Sequence, residues 1–330
     1  MNRETQLESL LPNTDIPWLL QSNPWTRYRT LTELLGKDKA DPMVKSALEE
    51  LDSQPLMQSL FQDCENLYPK AITRHNNAKI PYYKLWMLAD FGYTKDDPGI
   101  RKIIAQIKEH KEDGLYSVRQ SLPEKGKMKP DSDAETWHAL PCDSPYLTAA
   151  LLRFSDDDEN TLEAAGKIAK LWQDEKGWFC WLPFVKGIFK KTGIGCPMAG
   201  LMALSVFASV PDLTNSDAAK NAFAPIRYHW ESEKSLYYFG RSKKFWSFKY
   251  PFIWYNALYM ADILARFPQF RDEPLVKELV DWIVQSADGD GRFTPNSMFM
   301  NFKGWDFANK KEPSPWITFL AYRVLKRYYS

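Results

Sequence analysis

The sequence has few cysteines, almost no net charge and no long hydrophobic run, and each absence excludes a class of protein. Four cysteines in 330 residues, with no CxxC spacing among them, exclude a disulfide scaffold and favour a reducing compartment such as the cytoplasm. The 43 basic and 42 acidic side chains leave a net charge of +1, so no overall field attracts nucleic acid. We therefore expect a cytoplasmic protein that does not bind nucleic acid.

The sequence also lacks a recognisable targeting or membrane-spanning segment. Residues 1–9 are polar and do not show the basic and then apolar order of a secretion signal. No window approaches the roughly 18 consecutive apolar residues of a transmembrane helix. We expect a soluble protein that is not integral to a membrane, while binding to a membrane surface stays open.

Aromatic residues, in contrast, are abundant. Hydrophobic residues make up 44% and charged residues 26% of the chain, which is ordinary for a globular protein, but aromatic residues make up 15% and include 13 Trp. Either the fold or a ligand must therefore use many large, flat side chains.

An apolar phrase of eight residues recurs six times along the chain. Its copies span residues 28–35, 83–90, 146–153, 199–206, 255–262 and 317–324. The mean distance between their starts is about 58 residues, and a recurring spacing of this kind is the signature of a repeat architecture. Because each copy is apolar on nearly every side, helical periodicity predicts six helices that are buried all round.

A second, amphipathic helix is predicted after most copies of the phrase. Asp41, Asp97, Asp158 and Asp272 precede these helices, where a carboxylate accepts hydrogen bonds from the free amides of the first turn. We interpret these acids, including the acidic run at 156–159, as helix caps rather than as catalytic groups.

A glycine followed closely by an aromatic residue marks the end of several amphipathic helices. Gly114, Gly177 and Gly291 hold this position, and glycine ends helices by adopting a left-handed conformation. No glycine occupies the corresponding place at residues 234–237, so this copy is expected to have diverged or to have been rebuilt by an insertion.

Six apolar helices that alternate with amphipathic ones predict an all-α fold, an α/α toroid in which about six helical hairpins form a closed double ring. We expect a single domain over residues 1–330, with the segment 1–23 supplying the helix that closes the ring. The long connections each lead from an amphipathic helix to the next apolar one. They gather at one end of the predicted ring, where we expect the function to lie.

The glycine-aromatic turns and the helix starts resemble those of the squalene-cyclase and protein-prenyltransferase repeat superfamily. The segments 173–178 and 285–293 are similar to its QW motif, and Cys196 and Pro313 begin segments similar to its inner-helix starts. The resemblance extends from about Pro24 to the end of the chain. It implies an α/α toroid that handles isoprenoids, as a cyclase-like or prenyltransferase-like enzyme with an apolar chain bound in an aromatic central cavity.

The sequence departs from the catalytic motifs of this superfamily. Where class II cyclases carry their acidic motif, the sequence reads Pro141-Cys142-Asp143, with Pro141 in place of the leading acid. The Asp-x-Cys pair with which prenyltransferases hold zinc is absent. Asp143 is still the favoured catalytic acid or ligand, because the start of a helix favours an anion. Tyr255 and His138 are the further catalytic candidates.

Three cysteines suggest a zinc site. Cys142 and Cys196 start neighbouring apolar helices and Cys180 lies in the loop between them, so the three thiols can meet, with Asp143 or His138 as a fourth ligand. The alternative is that the cysteines are buried as small apolar residues. No other cofactor is implied.

Aromatic residues near the long loops are the candidates for a substrate-binding wall. They are Trp137, Trp181, Trp246, Trp254, Tyr255, Trp305 and Trp316. Ring faces bind apolar chains and stabilise cations, whereas the alternative is that these residues only fill the interior. Two loops, 183–191 and 239–250, interleave basic and aromatic residues and predict peripheral contact with a membrane.

Three functions follow from these observations. The first is isoprenoid chemistry, and the second is a non-catalytic toroid that binds a lipid or a protein partner. The third, a six-hairpin carbohydrate-active enzyme, needs two carboxylates at catalytic separation, for which Asp143 and Asp306 are the candidate pair. His75 and His229 are expected in solvent or in loops.

Overall fold

The structure is a computed structural model. It describes residues 14–72, 77–121, 123–124, 127–128, 135–180, 189–232 and 239–330, with side chains described outside 121–136. The chain is 57% helix and 4% strand, which confirms the predicted helical class. It divides into two compact units, a first of residues 1–62, 90–92 and 242–330 and a second of residues 63–89 and 93–241. The ring arrangement of the helices stays a prediction.

The helices that position the rest of the structure are numbered along the chain. They are α1 (Ile16–Leu20), α2 (Pro24–Arg29), α3 (Pro42–Asp52), α4 (Pro55–Asp63), α5 (Leu85–Phe91), α6 (Pro98–Lys108), α7 (Asp143–Arg153), α8 (Glu159–Leu171), α9 (Pro197–Phe207), α10 (Pro211–Thr214), α11 (Asp217–Glu231), α12 (Ala257–Leu264), α13 (Pro274–Gln285) and α14 (Pro315–Tyr329). A π-helical turn, Thr30–Leu34, continues α2, and a 3₁₀ turn, Pro81–Lys84, leads into α5.

Short antiparallel strand pairs lie between α6 and α7. The strands are β1 (Lys111–Glu112), β2 (Leu115–Tyr116), β3 (Val118–Ser121), β4 (Pro123–Glu124), β5 (Lys127–Met128) and β6 (Glu135–His138). β1 pairs with β2, β3 with β6, and β4 with β5. In the β3 and β6 pair, Arg119 lies opposite Trp137 and Val118 opposite His138. This ladder fixes the position of the chain just before Asp143.

Each copy of the apolar phrase forms a helix, as predicted. The copies fall in α2 with its π-helical turn, α5, α7, α9, α12 and α14. Every residue of α9 and of α12 is buried, as are residues 316–325 of α14. The amino-terminal segment predicted to close the ring is described from Thr14 onward, and its helix α1 packs against α2 within the first unit.

The acids that precede the amphipathic helices act partly as predicted. Asp41 and Asp158 accept a hydrogen bond from an amide of the first turn, at 2.8 Å and 3.0 Å, so both cap their helices. Asp97 stands at the cap position of α6, but its carboxylate accepts from the upstream amide of Thr94. Asp272 lies one residue before the cap position of α13. The acidic residues therefore predicted where these helices start, but only Asp41 and Asp158 form the predicted capping hydrogen bond.

The three glycines share one place in the repeat, but they do not end the helices. Gly114, Gly177 and Gly291 each lie six residues beyond the last residue of α6, α8 and α13. Their φ angles are +78°, +60° and +75°. They therefore turn the loop that follows each helix, which corrects the expectation that they terminate it.

The repeat copy that has no glycine at residues 234–237 has one three residues beyond that segment, Gly240. Gly240 has a φ angle of +76°, and a Cβ there would overlap the ring of Trp230. Gly177 stands against Trp172 in the same way. The residues 234–237 themselves lie outside the described part of the chain.

A buried ionic cluster within the first unit is centred on Arg323. Arg323 of α14 is only 1% exposed. Its guanidinium donates from Nε to Asp262 Oδ1 of α12 and from Nη1 to Asp90 Oδ1 at the end of α5, both at 2.9 Å. The Tyr250 hydroxyl donates to the other oxygen of Asp90 at 3.0 Å. Breaking such a network from one side leaves an uncompensated buried charge, which is strongly destabilising.

Glu33 extends this cluster to the π-helical turn. Its Oε1 accepts from Arg327 Nη2 at 2.6 Å, and Arg327 also donates to Asp262 at 2.8 Å. Burial acts to raise the pKa of Glu33, but the positive charges of Arg327, Arg323 and Arg29 outweigh it and hold that pKa well below its ordinary value. Glu33 is therefore ionised at neutral pH.

We expect Gly177→Ala to destabilise the protein. The new methyl group would overlap the Trp172 ring, and the residue would have to keep a φ of +60°, which costs about 1–2 kcal/mol for a residue with a Cβ. Gly166→Ala within α8 is the matched control, because a Cβ there meets open space. That control should stabilise the helix by about 0.5–1 kcal/mol. Equal free energies of unfolding for the two variants in a urea titration would contradict the assignment.

We expect Glu33→Gln to reduce stability in a pH-dependent way. Because the pKa of Glu33 is depressed in the folded state, its stabilisation is complete above the unfolded pKa of about 4.3 and is lost as the pH falls below it. The gap in Tm between the variant and the wild type should therefore be largest at neutral pH and shrink in acid. Glu50→Gln, which removes an exposed ion pair with Arg27, should change little at any pH. A gap that stays constant with pH would contradict the assignment.

Candidate functional site

The candidate site lies in the second unit, around the carboxylate of Asp143. Asp143 is the first residue of α7 and is only 1% exposed. Its Oδ1 accepts a hydrogen bond from the Tyr82 hydroxyl at 2.5 Å and a longer one from the Tyr83 hydroxyl at 3.4 Å. The 3₁₀ turn before α5 places these two phenols side by side. Two donated hydrogen bonds and a helix start both stabilise the ionised carboxylate.

The tyrosines of this site remain protonated. Burial, and after it the nearby charge of Asp143, raises the pKa of Tyr82 and of Tyr83 well above the usual range. The same two causes raise the pKa of Tyr68. These phenols therefore stay neutral hydrogen-bond donors at physiological pH.

Aromatic rings enclose the carboxylate. Tyr146 stands edge-on to Tyr83, with ring centroids 5.3 Å apart, and stacks on Trp86 at 4.5 Å. Tyr68 packs edge-on against Trp137 at 4.9 Å. Tyr68 and Trp137 are partly exposed, unlike the rings of Tyr82, Tyr83, Trp86 and Tyr146, which are buried.

The predicted thiols also meet beside Asp143. A hydrogen bond with the thiol of Cys196, together with burial, raises the pKa of the Cys142 thiol well above its usual range, and Cys180 and Asp143 act in the same direction. All three cysteines are free thiols. Within the residues the structure describes, however, no group of three or more His, Cys, Asp or Glu side chains is placed to hold a metal ion. The described geometry therefore gives the zinc hypothesis no support.

His138 belongs to a different contact. Its Nδ1 lies 3.3 Å from Glu112 Oε1, while the other oxygen of Glu112 accepts the amide of Ala139 at 2.7 Å. Glu112 also lines a shallow groove of about 510 Å³ together with Lys167 and Trp178. The pair joins β6 to β1, and this structural role accounts for the position of His138.

The predicted tryptophan wall does not form one surface. Trp305 and Trp316 belong to the first unit, where they pack around Phe91 at 5.5 Å and 4.9 Å. Trp316 is fully buried and Trp305 is 7% exposed, so this cluster is filled by its own side chains. Trp25 adds a further ring, 5.0 Å from Trp305.

The remaining wall candidates fall into three places. Trp246 packs against Trp282 at 5.6 Å, and Trp254 packs against Tyr255 at 5.0 Å, both within the first unit. Trp137 packs between Tyr68 at 4.9 Å and His110 at 3.3 Å in the second unit. Trp181 lies outside the described residues. Among the described wall residues, Trp137 is linked to this site through Tyr68, which packs against Tyr82.

Asp306, the second acid of the carbohydrate hypothesis, caps a helix. Its Oδ2 accepts from the Ser314 hydroxyl at 2.6 Å and from the Trp316 amide at 3.0 Å, while Oδ1 accepts from Trp25 Nε1 at 3.2 Å. Burial raises the pKa of Asp306 despite these hydrogen bonds. Asp306 belongs to the first unit and Asp143 to the second. Its three donors give Asp306 a structural role at the start of α14.

The loops predicted to contact a membrane are described in part. Residues 183–188 lie outside the described part of the chain. In the loop 239–250, the rings of Phe239, Phe245 and Phe248 are at most 4% exposed, while Lys243 and Lys244 are exposed. The apolar side of this loop therefore packs inward. Among the described helices, none combines the length and apolar character needed to cross a membrane.

His75 and His229 were both expected in solvent or in loops. His75 lies outside the described residues. His229 is fully buried on α11, with Nε2 3.1 Å from the carbonyl oxygen of Gly195, so the expectation of a solvent or loop position was wrong. Burial lowers the pKa of His229.

The sequence reasoning missed the tyrosines that define the site. Tyr83 and Tyr146 were visible only as the first residues of two apolar phrases, a position that Tyr28 and Tyr255 share. A phenol at the start of a helix that is otherwise apolar is a polar group in need of a buried partner. That signal, read together with the buried acid Asp143, identifies the site.

Comparisons with protein families, with curated proteins and with solved structures find no match to this chain.

Proposed function

We propose that this chain is an isoprenoid-handling enzyme, cyclase-like or prenyltransferase-like, whose reaction centre is the aromatic enclosure around Asp143. The observation that carries the proposal is a buried carboxylate at a helix start, bound by the phenols of Tyr82 and Tyr83. The resemblance of the helix starts and glycine turns to the squalene-cyclase and prenyltransferase superfamily supports the same substrate class.

The chemistry of the enclosure suits a positively charged intermediate. Isoprenoid cyclisation and transfer pass through carbocations. A carbocation does not form ordinary hydrogen bonds, and it is stabilised by negative charge and by the faces of aromatic rings. Asp143 supplies the negative charge, and the rings of Tyr82 and Tyr83, with Tyr146 edge-on to Tyr83, supply electron-rich surfaces beside it. An environment of low polarity strengthens both interactions.

In this proposal Asp143 is a counter-charge rather than a proton donor. Both phenols donate to the same oxygen, Oδ1, and this arrangement suits a carboxylate that acts as an acceptor. Protonation of an alkene would require the opposite, an acid kept in its neutral form. Tyr82 and Tyr83 are positioning residues that hold the carboxylate in place.

A second candidate function is a non-catalytic protein that binds a lipid or a protein partner. The packed tryptophans of the first unit favour it, because Trp305, Trp316, Trp25 and Phe91 leave their cluster filled by one another. A filled aromatic cluster explains the excess of Trp by packing alone. In that case Asp143 is a buried structural acid.

A charged analogue of an isoprenoid chain separates these functions. We expect the wild type to bind a geranylgeranyl dimethylammonium ion more tightly than geranylgeraniol, because only the cation is attracted by Asp143. Asp143→Asn should reduce this preference about tenfold or more, since the variant removes the charge and keeps the shape. The measurement is isothermal titration calorimetry of both ligands with each variant.

Asp156→Asn is the matched control in the same unit. Asp156 is 8% exposed and pairs with Lys108 at 2.5 Å, so the substitution removes a buried acid that lies outside the site. It should leave the preference for the cation unchanged. Binding of the alcohol without any preference for the cation would favour the non-catalytic function, and no binding of either ligand would defeat the proposal.

A further inference from the structure

A groove on the second unit combines apolar side chains with charged ones of both signs, and the proposed function does not use it. The groove has a volume of about 510 Å³, which lies within the range of ligand-binding pockets. It lies between the β1–β2 hairpin and the carboxyl-terminal end of α8. Leu115, Leu171 and Trp178 belong to its apolar lining, and Leu171 is 39% exposed.

Trp178 is a partly exposed indole that packs against no other aromatic ring or cation in the described part of the chain. Each of the other tryptophans that the structure describes as partly exposed has such a partner. They are Trp18, Trp137, Trp230, Trp246, Trp254 and Trp282. Because an indole combines a large apolar face with a polar edge, Trp178 in this groove is suited to contact a ligand that has the same two properties.

The charged side chains that line the groove balance one another. Glu112 and Asp113 are acidic, and Lys167 and Lys170 are basic. A further acid, Glu163, pairs with Lys167 at 3.0 Å. Neither an anion nor a cation therefore meets a large opposite charge in this groove. The groove instead offers hydrogen-bond donors and acceptors side by side.

Two of these side chains are held by backbone groups. Glu112 Oε2 accepts a hydrogen bond from the amide of Ala139 at 2.7 Å, and Lys167 Nζ donates to the carbonyl oxygen of Asp113 at 3.1 Å. A carboxylate has about four acceptor sites and an ammonium group has three donors, so both keep capacity for a ligand. Side chains that are already oriented reduce the entropic cost of binding.

We propose that this groove binds a neutral saccharide whose hydroxyl groups are equatorial, such as a β-linked glucose unit. The faces of such a sugar ring carry only C–H bonds, so one face can pack on the electron-rich ring of Trp178. The hydroxyl groups at the edge of the sugar both donate and accept, which matches neighbouring carboxylates and ammonium groups. A neutral ligand also fits a groove whose charges balance. The proposal is independent of the site around Asp143.

The experiment must separate sugar binding from a purely structural role of Trp178 beside the end of α8. The probe is cellobiose, which has two β-linked glucose rings, added to the full chain. Sorbitol is the reference, because it carries the hydroxyl groups of a glucose unit on an open chain without a flat face. In saturation-transfer NMR we expect transfer to the axial ring protons of cellobiose and none to sorbitol. Cellobiose binding should not change from low salt to about 0.5 M sodium chloride, because the ligand is neutral.

Variants of the groove locate the binding. Trp178→Ala should weaken cellobiose binding about tenfold or more, as truncation of a central tryptophan does in other binding sites. Lys170→Met removes the ammonium donors of an exposed side chain and keeps its length, and it should weaken binding about threefold or more without lowering Tm. Lys170→Met therefore tests the proposal even if Trp178→Ala is too unstable to measure.

Leu171→Ala and Leu162→Ala form a matched pair on α8. Both leucines are exposed, at 39% and 44%, but only Leu171 lines the groove. Leu171→Ala should weaken cellobiose binding severalfold, whereas Leu162→Ala should bind as the wild type does. If Trp178 has only a structural role, Trp178→Ala lowers Tm and cellobiose gives no saturation transfer with any protein. That result, equal transfer to sorbitol, or equal cellobiose binding by all of the proteins would overturn the proposal.

Discussion

A helix that is buried on every side has no water to satisfy the polar side chains it carries, and this constraint shapes both units of the protein. The apolar helices α9 and α12 are buried throughout. Where such helices bear acids, the structure supplies a specific partner: Arg323 for Asp90 and Asp262, and phenols for Asp143. An unpaired buried carboxylate would cost several kcal/mol, so each acid requires its donor.

The arginine that pairs with Asp90 and Asp262 and the phenols that bind Asp143 differ in whether they neutralise the charge of the acid. In the first unit a guanidinium neutralises the acids, and the result is a rigid cluster of ion pairs. In the second unit neutral phenols hold Asp143 without cancelling its charge, and aromatic rings surround it. A charge that is held but not neutralised suits the stabilisation of an opposite charge in a ligand. This difference is why the proposed reaction centre lies at Asp143 and not at Asp262.

The features that could be predicted from the sequence are those set by residues close together in the chain, namely the helices and their starts. Apolar phrases located six helices, and acids such as Asp41 and Asp158 located helix starts, because helical periodicity and capping involve residues a few positions apart. The partners of Asp143 and of Arg323 were missed, because Tyr82 lies 61 residues from Asp143 and Asp90 lies 233 residues from Arg323. The role of the tryptophans was also not predictable from the sequence, because a ring that lines a cavity and a ring that fills a core have the same sequence pattern. Trp316 was predicted to line a cavity, but it is fully buried in a core.

The central claim is that the enclosure around Asp143 receives an isoprenoid chain, and photo-crosslinking tests it most directly. A geranylgeranyl dimethylammonium analogue that carries a diazirine would be activated in the presence of the full chain, and the labelled peptides mapped by mass spectrometry. The account predicts labels on the peptides that contain Tyr68, Tyr82 with Tyr83, or residues 137–146, and loss of these labels when unlabelled analogue is added. Labels confined to other peptides, or labels that persist under competition, would contradict it.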